Sequence, residues 1–431
     1  MPMPLITIPQ EEQLQRAVLA AADLEEYDMD ASLDELEELA RTAGAQVVGR
    51  MVQKRAAFDP ATCLGSGRLE ELRDFCQNNQ VELVIFDHEL SPAQQRNIEN
   101  ILDLPVVDRT TLILDIFAAR ARSSEGRLQV ELAQLKYRLP RLAGQGTSLS
   151  RLGGGIGTRG PGETKLETDR RHIRARITAL ERQLRELEGR RERLRSRRRK
   201  DGVTTVAIVG YTNVGKSTLL NALTQAGVLA ENKLFATLDP TARALTLPDG
   251  RTVLLIDTVG LVRRLPHHLV EAFQSTLEEA ACADLVLNVC DISSPEAPAQ
   301  AEVTTSLLES LGAGATPVVT VLNKCDALPQ LPDILGENTV LISARTGYGL
   351  EALLETISRA LPPAQRRLTL LLPYDKAGLE NTIAARGKVL ARDWRPEGLW
   401  LDALVEVRDL HLVTPYLLRE PDKADESEGR D

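Results

Sequence analysis

Eight consecutive residues limit what this chain can fold into more than any other feature. Gly210, Tyr211, Thr212, Asn213, Val214, Gly215, Lys216 and Ser217 form a glycine-rich phosphate loop that ends in Lys-Ser. The apolar run from Val203 to Val209 leads into it and reads as a buried strand, and Thr218 to Gln225 reads as the helix that follows. That strand–loop–helix setting gives the pattern its meaning. Gly210 and Gly215 free the backbone to turn successive N–H groups inward around phosphate oxygens, at a helix N-terminus that favours negative charge. Lys216 then reaches the β- and γ-phosphates, and the Ser217 hydroxyl faces Mg²⁺. Such a loop belongs to an α/β fold in which ligands sit outside the carboxyl ends of parallel strands.

Three further motifs follow in the order that a nucleotide site of this class requires. Leu254 to Asp257 is an apolar strand that delivers Asp257 to the metal through water, and Thr258, Val259 and Gly260 come next. The Gly260 N–H is suited to sensing a γ-phosphate. Between loop and strand lie Phe235, Ala236 and Thr237, with Thr237 assigned the second Mg²⁺ hydroxyl and Thr241 its rival. Asn323, Lys324 and Asp326 end the apolar run Pro317 to Leu322. The Asp326 carboxylate can accept from both the guanine N1–H and the exocyclic amine. Adenine offers neither in that geometry, so ATP would leave buried groups unpaired. Ser343, Ala344 and Arg345 close the base pocket. Each motif alone is weak. Four in sequence, each at a strand's carboxyl edge, imply binding and hydrolysis of GTP, with Lys216, Thr237 and Gly260 nearest the chemistry.

Leu261 follows Gly260, where many switch GTPases place a glutamine that orients the attacking water. An apolar side chain cannot hold water, so slow intrinsic turnover is expected. Another group must complete the site: a partner, or a monovalent cation such as K⁺ seated by the Asn213 amide. His267 and His268 lie downstream, but adjacent histidines in a polar segment are ordinarily incidental surface residues.

At 431 residues the chain exceeds one ordinary core, and its flanks divide by pattern. Residues 1–120 alternate helical and strand patterns and predict an N-terminal α/β domain with a parallel sheet. Ser32 with Glu35 reads as a capping box opening a helix to Arg41. Strands are expected over 46–52, 81–87 and 104–107, and helices over 67–78 and from Ser91-Pro92 onward. Residues 121–200 differ in kind. Leu128, Leu132, Leu135, Leu139 and Leu142, then Ile173, Ile177, Leu180, Leu184, Leu187 and Leu194, recur at helical spacing. They predict two long helices, the second over 165–198, zipped along a narrow seam into a projecting arm.

That helical-hairpin arm carries 23 Lys and Arg against 9 Asp and Glu between Arg120 and Lys200, in a chain of net charge −10. A basic prong on an acidic body can approach RNA by the prong alone. The segment joining the helices, 151–163, holds six glycines with Arg151 and Arg159. Glycine permits close approach and arginine matches phosphate, so Arg151, Gly153, Gly154, Gly155 and Arg159 are the expected RNA contacts. A solvated coiled coil joined by a plain linker is the alternative. Residues 201–362 are assigned to the GTPase domain, 363–420 to a small α+β domain with a turn at Glu397-Gly398, and 421–431 to a disordered polar tail.

Five scattered cysteines without a CxxC pair argue against disulfides or a zinc site. No apolar run approaches the roughly 18 residues of a membrane helix. The N-terminus lacks the layout of a secretory signal. A cytoplasmic monomer is expected.

The run Gly153-Gly-Gly-Ile-Gly-Thr-Arg-Gly-Pro-Gly-Glu-Thr-Lys165, with Phe235-Ala-Thr-Leu-Asp-Pro240 and Asp257-Thr-Val-Gly-Leu-Val-Arg-Arg-Leu-Pro266, resembles the HflX family of ribosome-associated GTPases. Asp87-His-Glu-Leu-Ser-Pro-Ala-Gln-Gln-Arg96 and Asp108-Arg-Thr-Thr111 match it as well. The resemblance implies binding to the large ribosomal subunit with the arm near the peptidyl-transferase centre, splitting of stalled ribosomes in the GTP state, and hydrolysis stimulated by the ribosome. Where the family usually has phenylalanine this chain has Leu261, which is also apolar. Two readings of other classes remain: a GTP-regulated factor acting on RNA without splitting ribosomes, and a scaffolding coiled coil that carries a GTPase.

Overall fold

The computed structural model describes residues 14–142, 161–224, 235, 241–264, 278–310, 312–314, 316–332, 336, 338–362 and 365–419. Among them the strands form three sheets. The first is all parallel, in the order β2-β1-β3-β4, from Gln15–Asp23 (β1), Ala45–Lys54 (β2), Leu83–Phe86 (β3) and Val106–Asp108 (β4). Helices Met29–Thr42 (α1) and Arg109–Arg120 (α4) pack on one face, where Leu33, Leu36, Leu39, Ile113 and Phe117 meet Ala17, Leu19 and Ala21. Ser66–Asn78 (α2) and Pro92–Leu102 (α3) pack on the other, against Val18, Ala20 and Ala22. Cover on both faces explains why β1 is buried along most of its length.

The α3 start is as expected, with Pro92 in the first turn, and Ser91 and Gln94 add a capping box beyond that expectation. The α1 start is not. The chain enters that helix earlier, capped by the Asp28 carboxylate, which accepts from the Ala31 N–H at 3.0 Å. Ser32 is buried and donates to Asp87 at 2.9 Å, and Glu35 pairs with Arg109, so neither residue serves as a cap. The fully buried α1 leucines contribute about 1.5–3 kcal/mol each, together far more than one cap or surface ion pair, and so set which residues face inward.

Ser124–Arg141 (α5) and Pro161–Lys200 (α6) form the expected pair of helices. At 40 residues α6 is about 60 Å long. The seam departs from expectation. Of its α6 positions, Leu180 is fully buried while Leu194 is 54% exposed. Helix α5 turns a second apolar face, Val130, Ala133 and Tyr137, into the N-terminal core. It therefore belongs to that core as much as to the arm. Ion pairs join the helices at Arg176–Glu131 (2.7 Å), Lys136–Glu181 (3.1 Å) and Arg191–Glu125 (3.3 Å).

The second sheet runs β10-β9-β8-β5-β7-β6, from Thr205–Gly210 (β5), Thr241–Thr246 (β6), Thr252–Asp257 (β7), Leu285–Asp291 (β8), Val318–Asn323 (β9) and Thr339–Leu341 (β10). Only β6 runs antiparallel to its neighbour. Helix Lys216–Thr224 (α7) follows the phosphate loop, and Ala297–Ser310 (α8) and Leu350–Ala360 (α9) also flank this sheet. The third sheet is antiparallel, in the order β12-β13-β11-β14, from Gln365–Leu372 (β11), Lys388–Arg395 (β12), Gly398–Glu406 (β13) and Leu417–Arg419 (β14). Helix Leu379–Arg386 (α10) covers it through Ile383. Gly398 turns the β12–β13 hairpin at a φ of +146°, where an added Cβ would stand 2.3 Å from the Leu372 carbonyl oxygen. Among the described residues no helix is long and apolar enough to cross a membrane, and the five cysteines are free.

Candidate nucleotide site

Strand β5 ends at Gly210, whose φ of +144° and close approach to the Val289 carbonyl leave no room for a side chain. Gly215 is similarly constrained: its φ is +97°, and a Cβ there would lie 2.4 Å from Asn323 Nδ2. Tyr211 and Val214 bury their side chains in the sheet core, so what they offer a ligand is backbone. Asn213 is exposed at the loop crest, with a φ of +61°. Lys216 is buried, and its Nζ donates to the carbonyls of Gly210 (3.0 Å) and Tyr211 (2.6 Å) across the loop. Burial pushes its pKa down to about 8, against the opposing pull of Asp257.

Ser217 donates to Asp257 Oδ2 at 2.8 Å, bringing a hydroxyl and a carboxylate together at the ends of β5 and β7. These hard oxygen donors suit Mg²⁺. Thr258 donates to the Ile208 carbonyl at 2.7 Å and fixes the end of β7. Thr218 is half-buried in the first turn of α7. Thr241 opens β6 in register with Asp257. Ala236, Thr237, His267, His268, Arg151, Gly153, Gly154, Gly155 and Arg159 lie outside the described residues.

On the base side, Asn323 braces two loops. Its Nδ2 donates to the Val214 carbonyl at 2.7 Å, and its Oδ1 accepts from the Ala344 N–H at 2.9 Å. Lys324, at a φ of +65°, pairs with Asp291 at 2.6 Å. The Asp326 carboxylate accepts from Ser343 Oγ at 2.7 Å and from Arg345. The Ser343 hydrogen bond, aided by Arg345, holds it below the usual carboxylate range despite some desolvation. The phosphate-side and base-side groups thus meet along one carboxyl edge, joined through Asn323.

Gly260 stands directly against the loop. A Cβ there would lie 2.6 Å from Thr212 Cγ2 and 3.1 Å from Lys216 Nζ. The next residue, Leu261, is buried, donates its N–H to the Gly210 carbonyl (3.1 Å) and accepts from the Thr212 N–H (2.8 Å).

Two more residues expected among the nucleotide contacts bury their side chains away from the loop, in the N-terminal core. Phe235 packs edge-on against Phe117 with ring centroids 4.5 Å apart, and Val259 joins the same N-terminal cluster with Val262. An apolar ring gains about 1.5–3 kcal/mol there, so what these two residues offer a nucleotide, like Tyr211 and Val214, is backbone. The motifs also gave no sign of a charged seam between the domains. Glu35, Asp87 and Arg109 meet Arg263 and Arg264 from the segment after Gly260. The adjacent arginines were visible in the sequence, but their partners in the N-terminal domain lie 154 or more residues away.

Residues 30–118 match a family model described as GTP-binding GTPase N-terminal, and 120–198 match GTP-binding GTPase Middle Region. Residues 205–324 match 50S ribosome-binding GTPase. The chain is 54% identical to a GTPase HflX of Caldanaerobacter subterraneus, with 91% of each chain covered. It is 49% identical to one of Lacrimispora saccharolytica, covering 91% of this chain and 93% of that one. Against the GTPase HflX of Escherichia coli K12 identity is 41%, covering 86% and 88%. Similarity this high from the first sheet through the phosphate loop to the base reader settles descent, and the chain belongs to the HflX family of GTPases, enzymes that bind GTP and hydrolyse it.

Proposed function

We propose that this GTPase binds the large ribosomal subunit through its basic arm, and that the nucleotide sets the shape in which it binds. GTP favours engagement near the peptidyl-transferase centre, hydrolysis releases the protein, and the result is splitting or rescue of stalled ribosomes. One observation carries this reading. Residues of both segments that face the nucleotide, Phe235 on one and Val259 and Val262 on the other, are packed into the core from which α5 enters the arm. A change at the phosphates is therefore felt at the arm's root, the usual logic of a nucleotide switch. The similarity to a family described as 50S ribosome-binding GTPases supports the choice of partner.

Within the site we assign Lys216 to the β- and γ-phosphates, and the N–H groups of residues 210–218 to the phosphate cradle. Asp326, Ser343, Ala344 and Arg345 surround the base, with Asn323 and Lys324 shaping that pocket. Ser217 and Thr237 would hold Mg²⁺ directly and Asp257 through water. The ion would neutralise charge on the phosphate oxygens. Gly260 reports the γ-phosphate. Because buried Leu261 supplies no polar group, turnover needs help: a ribosomal group, or K⁺ held by Asn213, whose exposed position suits that role. Arg151, Gly153, Gly154, Gly155 and Arg159 would touch ribosomal RNA, and the protein would act in the cytoplasm as a monomer.

The test is GTP turnover with and without purified large subunits, in K⁺ and in Na⁺. Stimulation by the subunit is expected, larger in K⁺. Identical rates under all four conditions would refute the reading.

A further inference from the structure

The first sheet changes its direction of winding between β1 and β3. In α/β sheets, the crevice outside the carboxyl ends at such a point is where ligands bind. Here that crevice is polar. Tyr27 and Ser32 follow β1, Asp87 and His88 follow β3, and Arg109 follows β4. Asp87 is fully buried, with Arg109 Nη1 2.9 Å from its Oδ1. Burial alone would raise its carboxyl, but Arg109 and Arg264 outweigh that and hold it below the usual range.

The crevice is filled by a side chain from the other domain. Arg264 forms an ion pair with Asp87 Oδ2, donates to Ser32 Oγ at 2.6 Å and to the Tyr27 hydroxyl, and lies 4.0 Å from the Tyr27 ring centroid. Carboxylate, two hydroxyls and an aromatic face together match a guanidinium: its forked donors, its plane and its charge. Arg264 has a φ of +46°, which a side-chain-bearing residue rarely adopts. The preceding residue is held as well. The Arg263 N–H donates to Glu35 at 3.2 Å, and the Arg263 carbonyl accepts from Arg109 at 3.2 Å.

Four residues upstream, Gly260 lies against Thr212 and Lys216, and Leu261 is hydrogen-bonded to the loop backbone. A Cβ on Gly260 would stand 3.1 Å from Lys216 Nζ, so a γ-phosphate seated between that amine and the Gly260 N–H would push this segment outward. Val262 is buried between the two anchors and leaves little slack.

We propose that the N-terminal domain carries a guanidinium-binding pocket made by Tyr27, Ser32 and Asp87, that its ligand is the Arg264 side chain, and that this capture holds the Gly260 segment against the phosphate loop. The inference rests on reading that loop as the GTP site. Coupling of two sites is reciprocal: a nucleotide that displaces Gly260 loosens Arg264, and an emptied pocket makes the GTP-bound shape easier to reach.

The test measures affinities of a fluorescent GDP and a fluorescent non-hydrolysable GTP analogue for the full chain. Arg264→Ala should shift the ratio of the two affinities toward the GTP analogue by about fivefold or more. Asp87→Asn would leave Arg109 under-paired and could disturb folding. The pocket is therefore weakened independently by combining Tyr27→Leu with Ser32→Ala, which leaves the Asp87 ion pair and should shift the ratio the same way by less. Adding Arg264→Ala to that pair should take the ratio no further than Arg264→Ala does alone, because both changes act on one interaction. An unchanged ratio in Arg264→Ala, or shifts that add in full, would overturn the inference while leaving the GTP reading intact. Failure of the wild-type chain to bind either nucleotide would sink both.

Discussion

Lys216 spans the phosphate loop with its amine between two carbonyls, and burial lowers its pKa to about 8. Phosphate oxygens select the charged form, so GDP affinity should fall about tenfold per pH unit above pH ~8, with proton uptake on binding. Isothermal titration in buffers of different ionisation enthalpy measures both. The stability sign follows from the same shift. Between about pH 8 and 10 the unfolded chain holds a proton that the folded chain has lost, so the nucleotide-free protein should gain stability with rising pH in that window. At Asp326, which accepts from Ser343 and Arg345, replacement by Asn should lower GTP affinity by about 10- to 100-fold and favour xanthosine triphosphate. Competition against labelled GDP would show it, and an unchanged preference for GTP would remove Asp326 from the base reader. These residues were legible in the sequence because their geometry is local: a glycine, a lysine and a strand end fix one another within a few positions. Phe235 and Arg264 were not, because each is placed by a partner in another domain.

Elements were legible in proportion to how plainly one face declared itself. The capped helix at Ser91 and the long α6 were readable, while β1 was missed. Its core, Ala17 to Ala22, is mostly alanine, a residue depleted in strands, and the sheet environment overrides that preference. Helix α5 misled for the opposite reason: it has two apolar faces, and the leucine seam hid the one that Val130, Ala133 and Tyr137 turn into the N-terminal core. Leu180 is fully buried in α6, so Leu180→Ala should cost about 2–5 kcal/mol locally. Hydrogen exchange should quicken across α5 and α6 and stay unchanged in β5 and β8; uniform quickening would mean that the arm does not behave as a separate unit.

The whole molecule joins an acidic body to a basic arm that is rooted twice. Helix α5 enters the N-terminal core, and the far end of α6 is pinned where Arg195 and Arg198 meet Glu279 at 3.1 Å and 3.5 Å. An arm held at both the N-terminal and GTPase domains can transmit a change in their relation. If its grip on RNA is electrostatic, affinity for the large subunit should fall steeply with salt. Neutralising Arg151 and Arg159 should then reduce the slope of log K against log salt by about one for each phosphate the arm no longer neutralises. An unaltered slope would place the RNA-binding groups elsewhere on the arm. The central claim, that the nucleotide decides whether the arm engages the ribosome, is tested most directly by co-sedimentation with purified large subunits. The full chain should pellet with a non-hydrolysable GTP analogue and remain in the supernatant with GDP; equal pelleting with both nucleotides would contradict it.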